Sequence, residues 1–508
     1  PRLIIKGASE HNLRHIDVAI PMGAIVAIAG VSGSGKSTLV SDILVPALKR
    51  KSGKSTDQPG KFDGLAGCIP HDVIYVDQSP IGRTTRGNPV SYVGSFDGIR
   101  SLFAATPMAR HLGLSVGDFS FNSGKGRCPT CGGAGFEHIE MQFLSDVYLP
   151  CPACGGKRYK DSTLEVKIRL SDDRDYSIAD VLDMTADEAT RLFFEYPSIT
   201  WGIQQLCKVG LGYLKLGQPL TTLSGGERQR LKLAGTLSEG LSLGRRCGYS
   251  AGKLFVFDEP TTGLHFGDTA TLVCVFNELI CLGHSVLVIE HNLDVLNTAD
   301  WIIELGPAGG RQGGLVVFEG TPDQIVKEVS SFTGRALRDW RNVLDGQEVS
   351  RESFFNFPPM KLSAPEDNTR IVIQGAREHN LKNLSVTIPR DKFTVVTGPS
   401  GSGKSTLAFD LVFAEGQRRY LESLNAYARS MVQPAPAPEV DSIRGIPPTV
   451  AIEQRTSRGG LRSTVGTTTE LLHFLRLLFV KLGTQYCPDC GIPASPQSHD
   501  DIIKAIRR

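Results

Sequence analysis

One segment of this chain is written twice. Gly7-Ala-Ser-Glu-His-Asn-Leu13 returns as Gly375-Ala-Arg-Glu-His-Asn-Leu381, and Gly-Ser-Gly-Lys36-Ser-Thr-Leu39 returns as Gly-Ser-Gly-Lys404-Ser-Thr-Leu407. The offset is 368 residues at both ends, so no gap falls between them. Each copy contains G-x-x-x-x-G-K-S, as Gly30 to Ser37 and as Gly398 to Ser405. The first follows an apolar run, Ala24 to Ala29, and precedes an amphipathic stretch carrying Leu39, Val40, Ile43, Leu44, Ala47 and Leu48. That is the strand–loop–helix context in which such a loop cradles phosphates. The expected donors are the backbone N–H groups of Gly30, Ser32, Gly33, Ser34 and Gly35, with Lys36 on the β/γ oxygens and Ser37 and Thr38 opening the helix. The second loop offers the same set: Gly398, Gly401, Ser402, Gly403, Lys404, Ser405 and Thr406. ATP with Mg²⁺ is the expected cargo, Ser37 and Ser405 being the hydroxyl ligands.

Residues 223–230 read Leu-Ser-Gly-Gly-Glu-Arg-Gln-Arg. LSGGE opening a helix resembles the signature of ABC-type ATPases, a motif that closes over the γ-phosphate held by another domain. Ser224 offers a hydroxyl, Gly225 and Gly226 let backbone approach phosphate closely, and the helix N-terminus favours negative charge. Leu254-Phe-Val-Phe-Asp258-Glu259 reads as a buried strand ending in two carboxylates, Asp258 to hold magnesium and Glu259 to orient or deprotonate water. Val286-Leu-Val-Ile-Glu-His291 delivers an imidazole toward the γ-phosphate, and Gln78 fits a glutamine that senses magnesium and water. In the second copy Gln454 plays the Gln78 part, but no second LSGGE, carboxylate-ended strand or strand-end His follows before Arg508. The chain therefore reads as one complete ATPase half and the front of another.

At 508 residues the length suggests three or four domains. A net charge of +2 confines any nucleic-acid surface to a local patch. No uncharged apolar stretch approaches ~20 residues, so no membrane span is expected, and no signal peptide opens the chain. Beginning with Pro1 and breaking off inside a module, the chain reads as a piece of a longer polypeptide.

Six of the eleven cysteines form C-x-x-C pairs. Cys128/Cys131 and Cys151/Cys154 are separated by 19 residues and each pair is followed by Gly-Gly, the pattern of a four-thiolate Zn²⁺ site. A pair of disulfides is the competing reading and suits a cytosolic ATPase poorly. The residues between the knuckles, 135–149, alternate like a hairpin. Cys487/Cys490 is either a half-site with partners beyond Arg508 or a pair of structural thiols, and Cys68, Cys207, Cys247, Cys274 and Cys281 read as packing residues.

A zinc module between the Gln78 segment and the LSGGE segment resembles the UvrA family, the damage-sensing subunit of bacterial nucleotide excision repair. The residues that carry the resemblance are Glu10-His-Asn-Leu13, Asp77-Gln-Ser-Pro-Ile-Gly-Arg83, Phe119-Ser-Phe-Asn122, the CPxCGG pairs, Asp258-Glu-Pro-Thr-Thr-Gly-Leu-His265, Glu304-Leu-Gly-Pro307 and Glu319-Gly-Thr-Pro322. It implies an ATPase that binds damaged duplex DNA, a head-to-head homodimer, hand-over to a UvrB-like partner and a cytoplasmic location. The order departs from the family: residues 1–337 look like a second half and residues 371–508 like a first half, as in a tandem duplication or a circular permutation. The alternative class is a detached ABC ATPase driving an exporter, or a UvrA-like ATPase of antibiotic self-resistance.

The expected architecture is α/β: a P-loop NTPase of the ABC type with a helical signature subdomain and a zinc-stapled insert, followed by a partial second ABC domain. Its segments are 1–90 (first loop and Gln78), 91–222 (insert, with the zinc module at 128–154), 223–337 (signature helix, Asp258–Glu259 and His291), 338–370 (a polar, Pro-punctuated linker), 371–480 (second loop and Gln454) and 481–508. Arg100, Arg110, Lys125, Arg127, Lys157, Arg158 and Lys160 cluster around the zinc hairpin as candidate phosphate contacts, with Asp118 as an opposing charge. The expected partner of the Lys36 loop is a signature downstream of Arg508 or in another chain, and Ser224–Gly226 would close on Lys404 if the two halves fold onto each other or otherwise on a loop of a missing upstream half.

Overall fold

Two copies of one antiparallel sheet carry the repeat. The structure, a computed structural model, describes residues 1–77, 81, 86–139, 147–243, 252–345, 370–423, 437–452, 464–494 and 498–507. Strand Arg2–Ala8 lies between Ile16–Pro21 and Gly64–Gly67, and strand Arg370–Ala376 lies between Leu384–Pro389 and Ser442–Arg444. The registers coincide: Leu3 faces Ile20 as Ile371 faces Ile388, and both pairings slip just before Ala8 and Ala376. Gly7 and Gly375 occupy the slip at φ +59° and +66°, where a Cβ would stand 2.2 Å from the Asp63 carboxylate or 1.9 Å from that of Asp441. Only glycine fits there.

The phosphate loop springs from a second, larger sheet. Its order is Leu315–Gly320, Trp301–Gly306, Ile25–Gly30, Ser285–Ile289, Leu254–Asp258, Val73–Val76, and every neighbour pair is parallel except the first. Ile25–Gly30 is buried throughout, Ile25, Ala27 and Ala29 facing one core and Val26 and Ile28 the other. A parallel strand covered on both faces is apolar without alternation, which is why Ala24 to Ala29 reads as a run. The helix beyond the loop buries Leu39, Val40, Ile43, Leu44, Ala47 and Leu48, opening as a wide π-type turn at Thr38–Leu44 before Val45–Lys51.

The second copy stops short of this sheet. Residues 393–398, the counterpart of Ile25–Gly30, pair with no strand among the described residues, and Phe393, Val395 and Val396 are 96%, 64% and 42% exposed. In the first copy the flanking strands are Ser285–Ile289 and Trp301–Gly306, which follow the signature helix. Those segments have no second counterpart in the sequence, so the run has no ladder to join.

Between the two parts of the first half lies the helical region that carries the zinc module. Phe96–Ala104, Pro197–Lys208 and Gly225–Leu243 pack through Ile99, Phe103, Ile203, Leu206, Leu231 and Ala234. Capping boxes at Ser177/Asp180 and Thr185/Glu188 fix the starts of Ile178–Asp183 and Ala186–Leu192. Strands Phe136–Ile139 and Val147–Pro150 form the expected hairpin.

The chain divides into compact units at 454/455, ahead of the 480/481 boundary expected from sequence. Residues 455–508 contain Val465–Thr468, Leu471–Leu482, the two-strand pairing of Gln485–Tyr486 with Pro493–Ala494, and His499–Ile506. The repeat continues into this unit. Thr464 caps its helix through Thr467 N–H as Asn88 caps through Ser91 N–H, and Glu470 takes φ +60° where the first copy has Gly94 at +78°. Of the linker expected at 338–370, residues 338–344 belong instead to helix Phe332–Leu344, Arg370 opens a strand, and residues 346–369 lie outside the described residues.

Candidate functional site

Both phosphate loops have the same shape. Positive φ falls at Gly30, Gly33 and Gly35 and again at Gly398, Gly401 and Gly403. Lys36 Nζ folds onto the carbonyls of Gly30 and Val31 at 2.8 and 2.9 Å, and Lys404 Nζ onto those of Gly398 and Pro399 at 2.7 Å each. Burial lowers the Lys36 pKa, and the carboxylates of Glu259 and Asp258 oppose that shift. Asn12 Nδ2 donates to Gly33 O at 2.8 Å and Asn380 Nδ2 donates to Gly401 O, so the repeated Glu-His-Asn-Leu motif braces each loop from below. Sequence reasoning assigned these asparagines no role, although their fixed distance to the loop in both copies was a signal.

The parallel strands deliver the remaining groups of the first site to one edge. Asp258 ends Leu254–Asp258, and burial raises its pKa. The Tyr75 hydroxyl donates to Asp258 Oδ2 at 3.2 Å and shares a 2.8 Å hydrogen bond with Ser41 Oγ. Glu259 follows in a left-handed conformation at φ +48°, its N–H on Ile289 O at 2.9 Å and its Oε1 3.6 Å from His291 Nε2. Left-handed backbone in a residue with a Cβ is strained. Glu290, 2% exposed, was passed over in the sequence. Its carboxylate accepts from Thr261 N–H at 2.9 Å, His291 N–H at 2.8 Å and Asn292 N–H at 3.1 Å, tying the His291 turn to the turn after Glu259. A lone acid closing the apolar run Val286 to Ile289 was its signal. Gln78 and Gln454 lie outside the described residues.

The signature helix, Gly225–Leu243, is anchored to that edge by side chains. Gln229 Nε2 donates to Val76 O at 3.2 Å and Asp258 O at 3.0 Å, and Lys232 pairs with Asp77. At the N-terminus Ser224 Oγ and N–H both donate to Glu227 Oε2, at 2.9 and 2.8 Å. Glu227 Oε1 accepts from the Tyr213 hydroxyl at 2.6 Å. The Tyr213 ring lies against the second phosphate loop: a Cβ at Gly401 would stand 2.5 Å from its Cδ2. Ser400 N–H donates to Asp268 Oδ2 at 3.1 Å. Burial pushes the Asp268 carboxyl up, but the Ser400 hydroxyl and N–H outweigh it and the net shift is downward. The second loop therefore meets the first half beside the signature helix.

Cys128, Cys131, Cys151 and Cys154 converge with all four sulfurs within 4.8 Å of one another, a group that could hold a metal ion. Cys131 Sγ and Cys154 Sγ are 3.8 Å apart, far beyond a disulfide bond and equal to the ~3.8 Å edge of a tetrahedron with ~2.3 Å zinc–sulfur bonds. Burial opposes ionisation of Cys128, yet the N–H groups of Cys131 and Thr130 bring its thiol down to about 7. Cys154 is held up by burial and by the neighbouring sulfurs, because adjacent thiolates do not ionise together without a cation. The donor set fits zinc.

No family model matches the chain. It is 53% identical over 324 residues to the UvrABC system protein A of Thermus thermophilus, covering 64% of this chain and 33% of that protein. It is 50% identical over 350 residues to the same protein of Streptomyces coelicolor, covering 69% and 33%. Among solved structures, UvrA2 from Deinococcus radiodurans superposes with a TM-score of 0.60 at 43% identity, over 66% of this chain and 39% of that one. The matched stretch belongs to the UvrA family. The chain spans about a third of the length of the curated relatives it matches.

Two of the seven cations that sequence reasoning placed on this UvrA-like surface turn inward. Arg158 is 6% exposed, and Arg100 pairs with Asp97 and lies over the Phe96 ring. Charge pattern carries no information on burial. Arg110, Lys125, Lys157 and Lys160 are exposed and Arg127 half-buried. Asp118 is consumed locally, accepting from Ser115 N–H, Ser115 Oγ and Lys125 N–H at 2.9, 2.8 and 3.1 Å, which lowers its pKa against the effect of burial. Cys274 and Cys281, read as packing residues, are exposed on helix Phe266–Cys281, and Cys247 lies outside the described residues. Among the described residues no helix is long and apolar enough to cross a membrane.

Proposed function

We propose that this chain is the ATP-handling and DNA-contacting part of a UvrA protein, coupling ATP binding and hydrolysis to recognition of damaged duplex DNA in nucleotide excision repair. The observation that carries the reading is the placement of the Lys36 loop, Asp258, Glu259 and His291 at one sheet edge, with the signature helix of the same half turned toward the other loop.

In this reading the N–H groups of residues 30–38 and Lys36 hold the β- and γ-phosphates, and Ser37 and Asp258 hold Mg²⁺, Asp258 directly or through water. Glu259 orients or deprotonates the attacking water, and His291 bonds the γ-phosphate. Gln78 and Gln454 keep their proposed sensing roles. Ser224, Gly225 and Gly226 close on the phosphate held at residues 398–406 by Lys404. Each site is then half equipped: the Lys36 site has its carboxylates, and the Lys404 site has a signature. Full turnover needs a further ABC half or a second chain, consistent with a UvrA homodimer. The four thiolates bind Zn²⁺ and staple the insert, whose Lys125, Arg127, Lys157 and Lys160 contact DNA phosphates. Hand-over to a UvrB-like partner and a cytoplasmic location belong to the same proposal.

The test uses fluorescent ATP, phosphate release and duplex titrations at two salt concentrations on the purified chain. Expected are nucleotide binding at two sites, slow hydrolysis, and DNA binding that weakens with salt and favours a lesion-bearing duplex. Nucleotide binding with no affinity for duplex at low salt would favour the detached-ATPase class instead.

A further inference from the structure

We propose that Arg158 is a positioning residue that couples the four-cysteine centre to the nucleotide clamp. The proposal rests on the ATP-binding and zinc readings given above. Arg158 follows the second knuckle in a left-handed conformation at φ +69°, a strained choice for a side-chain-bearing residue. Its carbonyl accepts from Cys128 N–H at 2.9 Å, so its backbone is hydrogen-bonded to the first knuckle. Its stem packs on Gly135, where a Cβ would stand 2.9 Å from Arg158 Cγ. Its guanidinium lies 5.4 Å over the Phe121 ring and donates through Nη2 to Gly217 O at 2.7 Å, while the buried Nη1 has no hydrogen-bond partner among the described residues.

A buried cation normally requires an anion. Burial disfavours the Arg158 cation, and the Tyr159 phenol and the sulfurs of Cys131 and Cys154 act in its favour. Four thiolates around one divalent cation carry a net charge of −2, and Arg158 is placed to offset part of it. The same guanidinium grips Gly217, seven residues before Ser224, and the segment between runs through Leu220, whose N–H bonds Gly87 O at 3.0 Å. Arg86, at the far end of the Gln78 segment, reaches Asn122 O, six residues before Cys128, at a long 3.4 Å, and Arg127 reaches the same carbonyl at 2.8 Å. Both nucleotide-responsive segments thus touch residues that flank the zinc module, and Arg158 makes the shorter contact. A change at the signature that moves Gly217 therefore perturbs the charge beside the thiolates, and loss of metal perturbs the approach to Ser224.

Coupling of this kind is reciprocal. Zinc release to a chromogenic chelator should change on the order of fivefold when a non-hydrolysable ATP analogue and magnesium are bound. Zinc-stripped chain should differ in analogue affinity by a similar factor. Arg158→Gln should keep one zinc per chain and lose both effects. Arg158→Lys, which keeps the charge without the fork, should lose most of the coupling. Equal zinc release with and without bound analogue in the unsubstituted chain would overturn the proposal, as would full coupling in Arg158→Gln. Loss of zinc from both variants would make Arg158 a structural part of the metal centre and would also overturn it. Failure of the analogue to bind the unsubstituted chain is a different result, because it removes the ATP-binding reading itself.

Discussion

The Tyr213 hydroxyl donates to Glu227 at 2.6 Å while its ring lies against Gly401, so one side chain touches the signature helix and the second phosphate loop. Burial foremost, then the Glu227 charge, raises the phenol pKa and keeps it protonated as a donor. Gly401 takes φ +75°, and a Cβ there would stand 2.5 Å from the ring. The signature of one half and the loop of the other are in this way joined by a rigid aromatic body rather than by flexible side chains.

Asp268 places a carboxylate on Ser400 N–H, a donor that phosphate would otherwise take. On a Lys36→Ala background, which leaves the second loop as the main nucleotide site, Asp268→Ala should tighten analogue binding about fivefold, equivalent to ~1 kcal/mol. Equilibrium titration of a fluorescent ATP reads this directly. Weaker binding in the double variant would mean that Asp268 supports the bound state instead of competing with it.

Glu259→Gln should retain ATP binding and lower phosphate release at least about 100-fold, since it removes a base but keeps the shape of the phosphate clamp. Lys36→Ala should instead weaken binding itself. Wild-type turnover by Glu259→Gln would move the chemistry to another group, with His291, 3.6 Å from Glu259 Oε1, as the first to examine.

Tyr75→Phe deletes the hydroxyl shared by Asp258 and Ser41. That hydrogen bond favours ionised Asp258 against the upward push of burial. Without it the carboxyl pKa rises further, so protons compete better with magnesium as pH falls. Magnesium titrations at fixed ATP should show about tenfold weaker dependence, roughly the ~1.4 kcal/mol of a hydrogen bond to a charged group, with the deficit growing toward acid pH. An unchanged magnesium titration would leave the phenol a packing group.

Glu290→Ala should cost about 3 kcal/mol, because three backbone N–H groups at the Thr261 and His291 turns lose their acceptor. Denaturant unfolding measures the loss. A variant as stable as the parent would show that water replaces the carboxylate.

The phosphate loops were legible because their chemistry is local: the glycines, lysine and hydroxyls lie within nine residues, and their spacing survives a 368-residue displacement. The cysteine quartet was legible for the same reason, as two short knuckles. Tyr213, Asp268 and Glu290 act through partners that are distant in sequence or on the backbone, and composition marks neither. Phe393 to Val396 reads like Ile25 to Ala29, yet a strand exists only where neighbours complete its ladder. Arg158 was misplaced for a related reason. A cation beside others looks solvated until the fold reveals Phe121 and Gly217 around it.

The zinc module offers a test of where DNA binds. Substituting Ser for any one of Cys128, Cys131, Cys151 or Cys154 should release about one zinc and unfold the knuckles, because metal–thiolate bonds supply much of the folding free energy of so small an insert. The central sheet should stay folded, since its inner strands, such as Ile25–Gly30 and Ser285–Ile289, are buried without help from the metal. Lys125, Arg127 and Lys157 stand on or beside the knuckles, and each phosphate contact they make adds about 0.9 to the slope of log affinity against log salt. Loss of all three should lower that slope by about 2.7. Metal analysis beside DNA titrations at two salt concentrations decides the matter. Zinc lost with an unchanged slope would make the module purely structural and place the DNA surface on other elements.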